Sequence, residues 1–265
     1  MNHRLFCGVL ALALASVLAA PAQAQLATYS QDFEGLVQTD PDALAYDGWL
    51  VFGNVFSPGG GYLYGYGPFP APNGGQAFSA IVVGEGGPEQ GLQQLSVYSD
   101  YGNLDHANGN LIEANVFQEQ WISAMDVGST WVFEFSFRRG NIEGGTTALA
   151  FIKTLDPGNG FQLSNFITAD MTAVPNMWGG SVLSIFIDAS LAGQILQFGF
   201  ANTATSYEGS GIFYDNLNFI EAGDQCPDDD DENDDDEERD NELFRFELRN
   251  GEGSQGSPVH DLSPR

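Results

Sequence analysis

The chain has 265 residues, with 36 Asp and Glu against 8 Lys and Arg, a net charge of −28 at pH 7, 12% aromatic residues, 33 glycines and two cysteines. Such a charge repels phosphate, which excludes nucleic-acid or anionic-membrane binding through a basic patch. Two cysteines are too few for a disulfide framework, and with Cys7 in the leader described next, Cys226 is the one thiol of the mature chain.

Met1-Asn2-His3-Arg4 place positive charge ahead of an apolar run from Val9 to Ala20, and Ala22-Gln23-Ala24 follows with small residues flanking a polar one. This is the pattern of a secretory signal peptide cleaved after Ala24. The run is shorter than the ~20 residues that cross a bilayer, so no membrane insertion is expected. The expected product is exported: secreted, cell-surface or periplasmic. Residues 25–221 form the expected folded domain, and residues 222–265 an acidic, low-complexity tail. The run Asp228 to Glu238 contains no apolar residue, so nothing offsets the entropy of ordering it and disorder is expected.

From residue 25 onward the pattern is period-two alternation interrupted by glycine, proline and asparagine, without a long helical period. Candidate strands run over 29–33, 49–56, 77–83, 93–98, 111–122, 131–138, 147–155, 161–171, 181–187, 195–202 and 211–220. The clearest is Trp131 to Arg138. There Trp131, Phe133, Phe135 and Phe137 share one face, and Glu134, Ser136 and Arg138 the other. Residues 190–194 predict a single helical turn. Ten or eleven antiparallel strands with irregular turn spacing predict an all-β fold, a two-sheet antiparallel jelly-roll sandwich.

At the two ends of this domain stand Gln31-Asp32-Phe33-Glu34-Gly35 and Gly211-Ile212-Phe213-Tyr214-Asp215-Asn216-Leu217-Asn218-Phe219. They resemble the first and last strands of carbohydrate-binding-module-type (galactose-binding-like) jelly-roll domains of bacterial exported proteins. The resemblance implies a structural Ca2+ ion held by Glu34 and Asp215. The residues support this in part, since period two puts Asp215 on one face with Phe213, Leu217 and Phe219. A carboxylate on a core face needs a partner or a metal, and only Arg138, Arg139 and Lys153 are available as bases. The alternative is a rim position in which Asp215 is solvated or bonded to backbone N–H groups.

The segment from Gly59 to Gly75 sets Tyr62, Tyr64, Tyr66 and Phe69 among glycines and prolines, which predicts a long loop or a ragged edge. Tyrosine rings there either stack on sugar faces, offering an apolar body and a polar tip, or fold back over an open end of the sandwich. Trp178 and Trp121 are further ligand candidates, whereas Trp49 and Trp131 read as core. Catalytic constellations are thin. His106 reads as a solvated loop residue without a nucleophile beside it. Glu113 and Glu119 stand about 20 Å apart along one strand, beyond the ~5–9.5 Å of glycoside hydrolysis. A neighbouring-strand partner for Glu113, such as Glu134, is the remaining route. The glycine-rich Gly140–Gly145 reads as a hairpin turn, not a phosphate loop.

The expectation is therefore a non-catalytic protein that binds an extracellular glycan and is stabilised by calcium. The alternatives are a structural or adhesive surface module and, third, a jelly-roll glycosidase or lyase.

Overall fold

A computed structural model describes residues 25–223; residues 1–24, expected as a signal peptide, and residues 224–265, which hold nearly all of the expected acidic tail, lie outside the described residues. In chain order the strands are β1 (Tyr29–Gln31), β2 (Leu50–Phe56), β3 (Tyr62–Pro70), β4 (Ser79–Val83), β5 (Gln93–Val97), β6 (Leu111–Trp121), β7 (Thr130–Ile142), β8 (Thr147–Asp156), β9 (Gln162–Asp170), β10 (Gly179–Phe186), β11 (Ile195–Ala204) and β12 (Ser210–Glu221). One helical turn, α1 (Ala43–Tyr46), precedes β2, and three short 3-10 turns occupy Leu104–Asn108, Pro157–Asn159 and Ala189–Leu191. The last sits at the helical turn expected over 190–194.

Two six-stranded sheets result. The first runs β10-β7-β12-β5-β4, with β1 also pairing β12, and the second runs β3-β2-β6-β11-β8-β9. All pairings are antiparallel. From β5 to β8 and from β9 to β12 each successive strand crosses to the other sheet, which is jelly-roll connectivity. The expected all-β sandwich is the fold observed, with one more strand than the alternation predicted: β3 occupies part of the glycine-rich Gly59–Gly75 segment.

The core lies between the sheets and is largely aromatic. Trp131, Phe133, Phe135 and Phe137 of β7 all point inward and are buried. From the facing sheet, Phe198 stacks on Phe219 at 4.2 Å and Phe200 stacks on Tyr214 at 3.5 Å. Phe133 bridges the layers, 5.1 Å from Phe198. Each such ring contributes about 1.5–3 kcal/mol by leaving water. Trp49, as expected, is fully buried; its indole N–H donates to the Tyr29 hydroxyl (2.9 Å) and to Asp47 (3.1 Å).

The period-two reading of β12 needs correction. A register shift between Asp215 and Asn218 breaks its pairing with β7. Ile212 and Tyr214 are buried before the bulge and Leu217 and Phe219 after it, whereas Phe213 is only half-buried on the opposite face. The extra residue resets the alternation, and strict periodicity cannot anticipate that. Asp215 is therefore buried at the bulge, not by sharing a face with Phe213.

Candidate functional site

Asp215 is 0% exposed. Its Oδ1 accepts the Asn216 N–H at 2.7 Å, and its Oδ2 is buried without any partner among the described residues. Burial raises its pKa to about 7, against the opposing Asn216 bond and with help from the nearby Asp32 and Glu34 charges. Glu34 Oε1 accepts the N–H groups of Leu92 (2.6 Å) and Gln93 (2.7 Å). Gly91, at φ +56, leaves space that a Cβ would take from the Glu34 carboxyl. Phe33 and Asn216, both at positive φ, turn the chain beside these acids.

The donors are hard oxygens, one of them orphaned and desolvated, which is chemistry that fits Ca2+. Among the described residues no three His, Cys, Asp or Glu side chains form a metal-holding group. Glu34 and Asp215 would therefore need backbone carbonyls to complete a calcium shell.

The candidate ligand residues divide among three places. Tyr64 and Tyr66 lie on the edge strand β3. Tyr66 packs against the core and bonds Asp100 Oδ2 at 2.7 Å, while Tyr64 bonds Asp105 Oδ2 at 2.5 Å. Asn103 Nδ2 reaches both hydroxyls, at 3.4 and 3.3 Å. These rings seal the sheet edge against the 98–110 loop. A register shift between Val55 and Phe56 sends Tyr62 to the other face, where its hydroxyl lies 2.8 Å from the position of a Cβ on Gly65, beside Phe52. The three tyrosines thus do not form one platform. Trp178 is half-buried on the first-sheet side, its indole N–H tied to the Glu85 carbonyl at 3.0 Å. Trp121, 40% exposed, ends β6.

His106 is not a solvated loop residue. It is buried in the 3-10 turn, its Nε2 3.1 Å from the Asp100 carbonyl, with Tyr101 on one side at 5.5 Å and Tyr207 at 4.9 Å. Burial holds its pKa down. Glu113 and Glu134 do not meet: Glu113 lies in the second sheet opposite Asn54, and Glu134 in the first sheet opposite Val182.

What the sequence did not single out is the outer face of the second sheet. Along β6 the alternation turns Glu113, Asn115, Phe117 and Glu119 outward, and by the same period Trp121. Phe117, Phe151 and Ala201 bury one another there, flanked by Leu50, Phe52 and Leu149. Lys153 lies over the Phe151 ring at 4.4 Å and near Phe117 at 5.5 Å, and donates to Asn115 Oδ1 at 3.2 Å. Burial lowers its pKa to about 8, with Glu113 and Glu119 opposing. Glu113 Oε1 accepts from Asn54 (2.8 Å) and Asn115 (3.0 Å), and Glu119 Oε2 accepts from Gln197 (2.7 Å). The result is a face built over covered rings, with Leu50, Phe52 and Leu149 half-buried beside them, on which amides and carboxylates hold one another in place. Only the alternation of β6 hinted at it, because its members come from four strands distant in sequence.

No family model matches the chain, and no curated protein matches it. Solved structures similar to it include a Stig cyclase of Fischerella sp. TAU, 13% identical over 74% of this chain and 98% of that one, with a TM-score of 0.42. The xylan-binding domain CBM22-1 of Paenibacillus barcinonensis Xyn10C is 11% identical over 77% of this chain and 97% of that one, with a TM-score of 0.39. The enzymatically active domain of the bacteriophage CBA120 tailspike protein 4 is 14% identical over 70% of this chain, with a TM-score of 0.40; the match spans only 21% of the tailspike chain.

Proposed function

We propose that the protein is an exported, non-catalytic carbohydrate-binding jelly roll, stabilised by a calcium ion at Glu34 and Asp215, that takes an extracellular glycan on the outer face of its second sheet. The observation that carries this reading is the arrangement of that face. Half-buried Leu50, Phe52 and Leu149 give apolar surface beside the covered Phe117 and Phe151 rings, and Glu113, Asn115, Glu119, Gln197 and Lys153 offer fixed donors and acceptors around it. Sugar rings present alternating apolar faces and hydroxyl edges, which such a surface complements. Tyr62 and Trp121 stand at its margins. Tyr64, Tyr66 and Trp178, committed to bonds within the fold, serve as supports in this reading.

The non-catalytic part is supported by the carboxylates. Glu113 and Glu119 remain six residues apart on one strand, about 20 Å, and Glu134 belongs to the other sheet. The adhesive alternative has one feature in its favour, the exposed Val182 and Phe186 on the edge strand β10.

The test is a glycan array followed by calorimetry, run with calcium and with chelator. Array hits are expected, with Trp121→Ala weakening binding by about tenfold, as the loss of one stacking contact predicts. An empty array under both conditions would sink the carbohydrate reading and favour adhesion.

A further inference from the structure

On the outer face of the first sheet a groove of about 630 Å³ lies at one end of the sandwich, between turns. It is lined by Ser96 of β5, by Ser210, Gly211 and Phe213 of β12, by Asn141 of β7 and by turn residues including Gln76, Tyr98, Tyr101, Glu143 and Tyr207. None of these belongs to the face described above, so the inference goes beyond that reading and does not depend on it.

Three features mark it as a built site. The first is an ordered aromatic series. Tyr98 stacks on Tyr101 at 6.1 Å, Tyr101 on His106 at 5.5 Å, and His106 meets Tyr207 at 4.9 Å. The Tyr98 hydroxyl is fixed to the Ser79 carbonyl at 3.1 Å and that of Tyr101 to the Glu208 carbonyl at 2.7 Å, so the rings cannot turn away. The second is turn geometry. Ser206 and Tyr207, at φ 50° and 62°, are the central pair of a type I′ turn closed by the Glu208 N–H on the Thr205 carbonyl at 2.9 Å, and Tyr207 is left 48% exposed at its tip. The third is unspent polarity. The Gln76 and Asn141 amides are exposed and neither makes a side-chain hydrogen bond among the described residues, and the Ser96 hydroxyl on the floor makes none either. Glu143 uses one oxygen for a long contact, 3.4 Å, from the Gly209 N–H.

The lining selects the ligand class. No base is present, so phosphate, sulfate and carboxylate ligands find no counter-charge. Three neutral polar groups and one carboxylate are too many to desolvate for a purely apolar ligand. Flat rings, neutral amides and one hydroxyl-accepting carboxylate suit a neutral polyol ring, and the volume falls within the ~300–1,000 Å³ of small-ligand sites. We propose that this groove is a second binding site, which takes one or two residues of an uncharged saccharide through Tyr98, Tyr207, Gln76 and Asn141.

The experiment labels the full chain with 3-fluorotyrosine and assigns the Tyr98, Tyr207 and Tyr62 resonances by single replacement with Phe. Neutral gluco-, xylo- and manno-hexasaccharides are then titrated in. Saccharide is expected to move the Tyr98 and Tyr207 signals in the wild type and equally in Trp121→Ala. The double variant Gln76→Ala/Asn141→Ala, which removes only exposed and unbonded amides, is expected to weaken that response by about tenfold. Movement of Tyr62 alone would overturn the second site and leave the second-sheet face standing. Movement of Tyr98 and Tyr207 alone would support the second site and count against that face. No movement of Tyr98 and Tyr207 with any hexasaccharide overturns the proposal.

Discussion

The outer faces of the two sheets are made by the same alternation of inward and outward side chains, yet they use their outward positions differently. On the first sheet, β7 turns Glu134, Ser136 and Arg138 outward, and the Arg138 side chain, 24% exposed, pairs with Glu85 at 3.2 Å. On the second, the outward positions of β6, β8 and β11 bury Phe117, Phe151 and Ala201 against one another and draw Lys153 down onto the rings. An outward face therefore need not be a solvated one. Cross-strand neighbours decide, and they are set by the order β2-β6-β11-β8, which joins residues up to about 150 positions apart.

The sharpest way to break this contrast is to truncate rings on the second face. Phe151→Ala should cost about 3–4 kcal/mol in denaturant unfolding, as for a core ring, while Phe166→Ala, at 50% exposure on the neighbouring strand, should cost under about 1 kcal/mol. Equal small effects would show that the outer cluster is not a second core.

Next in size is the buried carboxyl of the first sheet. With its folded pKa raised to about 7, Asp215 binds its proton more tightly in the folded state than in the unfolded one. Stability of the calcium-free domain should then rise as pH falls from about 7 toward 4, on the order of 2 kcal/mol, and be lost as pH rises through 7. Asp215→Asn should abolish this slope. If calcium binds there, it should raise the melting temperature at pH 8 and much less at pH 5, because the proton competes with the ion. A melting temperature indifferent to chelator would remove calcium from the account.

Lys153 gives a smaller effect of opposite sense on the other face. Its pKa is lowered to about 8, so between about pH 8 and 10 the unfolded state holds more protons and stability should rise with pH. The gain is on the order of 1 kcal/mol after allowing for partial exposure. Lys153→Met should flatten that rise, measured as the difference from wild type so that tyrosine ionisation cancels. The smallest effect belongs to the solvated face. Arg138→Ala should change stability by less than about 1 kcal/mol, and a larger loss would mean that the loop carrying Glu85 depends on it.

Much of the fold was legible in the sequence. Alternation in 131–138 placed four rings inward without exception, and eleven of the strands were read close to their observed bounds. The reading gave Gly59–Gly75 as a long loop or a ragged edge and not as a strand, because glycines and prolines mask an edge strand, where ladder bonds are needed on one side only. It misassigned Phe213 because a bulge is invisible to a strict period. His106 looked solvated because its burial comes from Tyr101 and Tyr207, rings supplied by separate turns. The candidate sites were legible only as residue types. Tyr62, Tyr64 and Tyr66 were read as rings that either stack on sugars or fold back over an open end of the sandwich; Tyr64 and Tyr66 are tied back to Asp105 and Asp100, and a register shift sends Tyr62 to the other face.

The sequence by itself determined the charge, the all-β alternation, the aromatic core strand and the two acidic end motifs, because these depend on composition and local period. Only the tertiary structure decided that Asp215 is buried with an unpartnered oxygen, that Lys153 rests on two phenylalanines, and that four rings line up from Tyr98 to Tyr207. Those features depend on strand order and register, which are fixed by long-range packing of residues that local sequence cannot bring together.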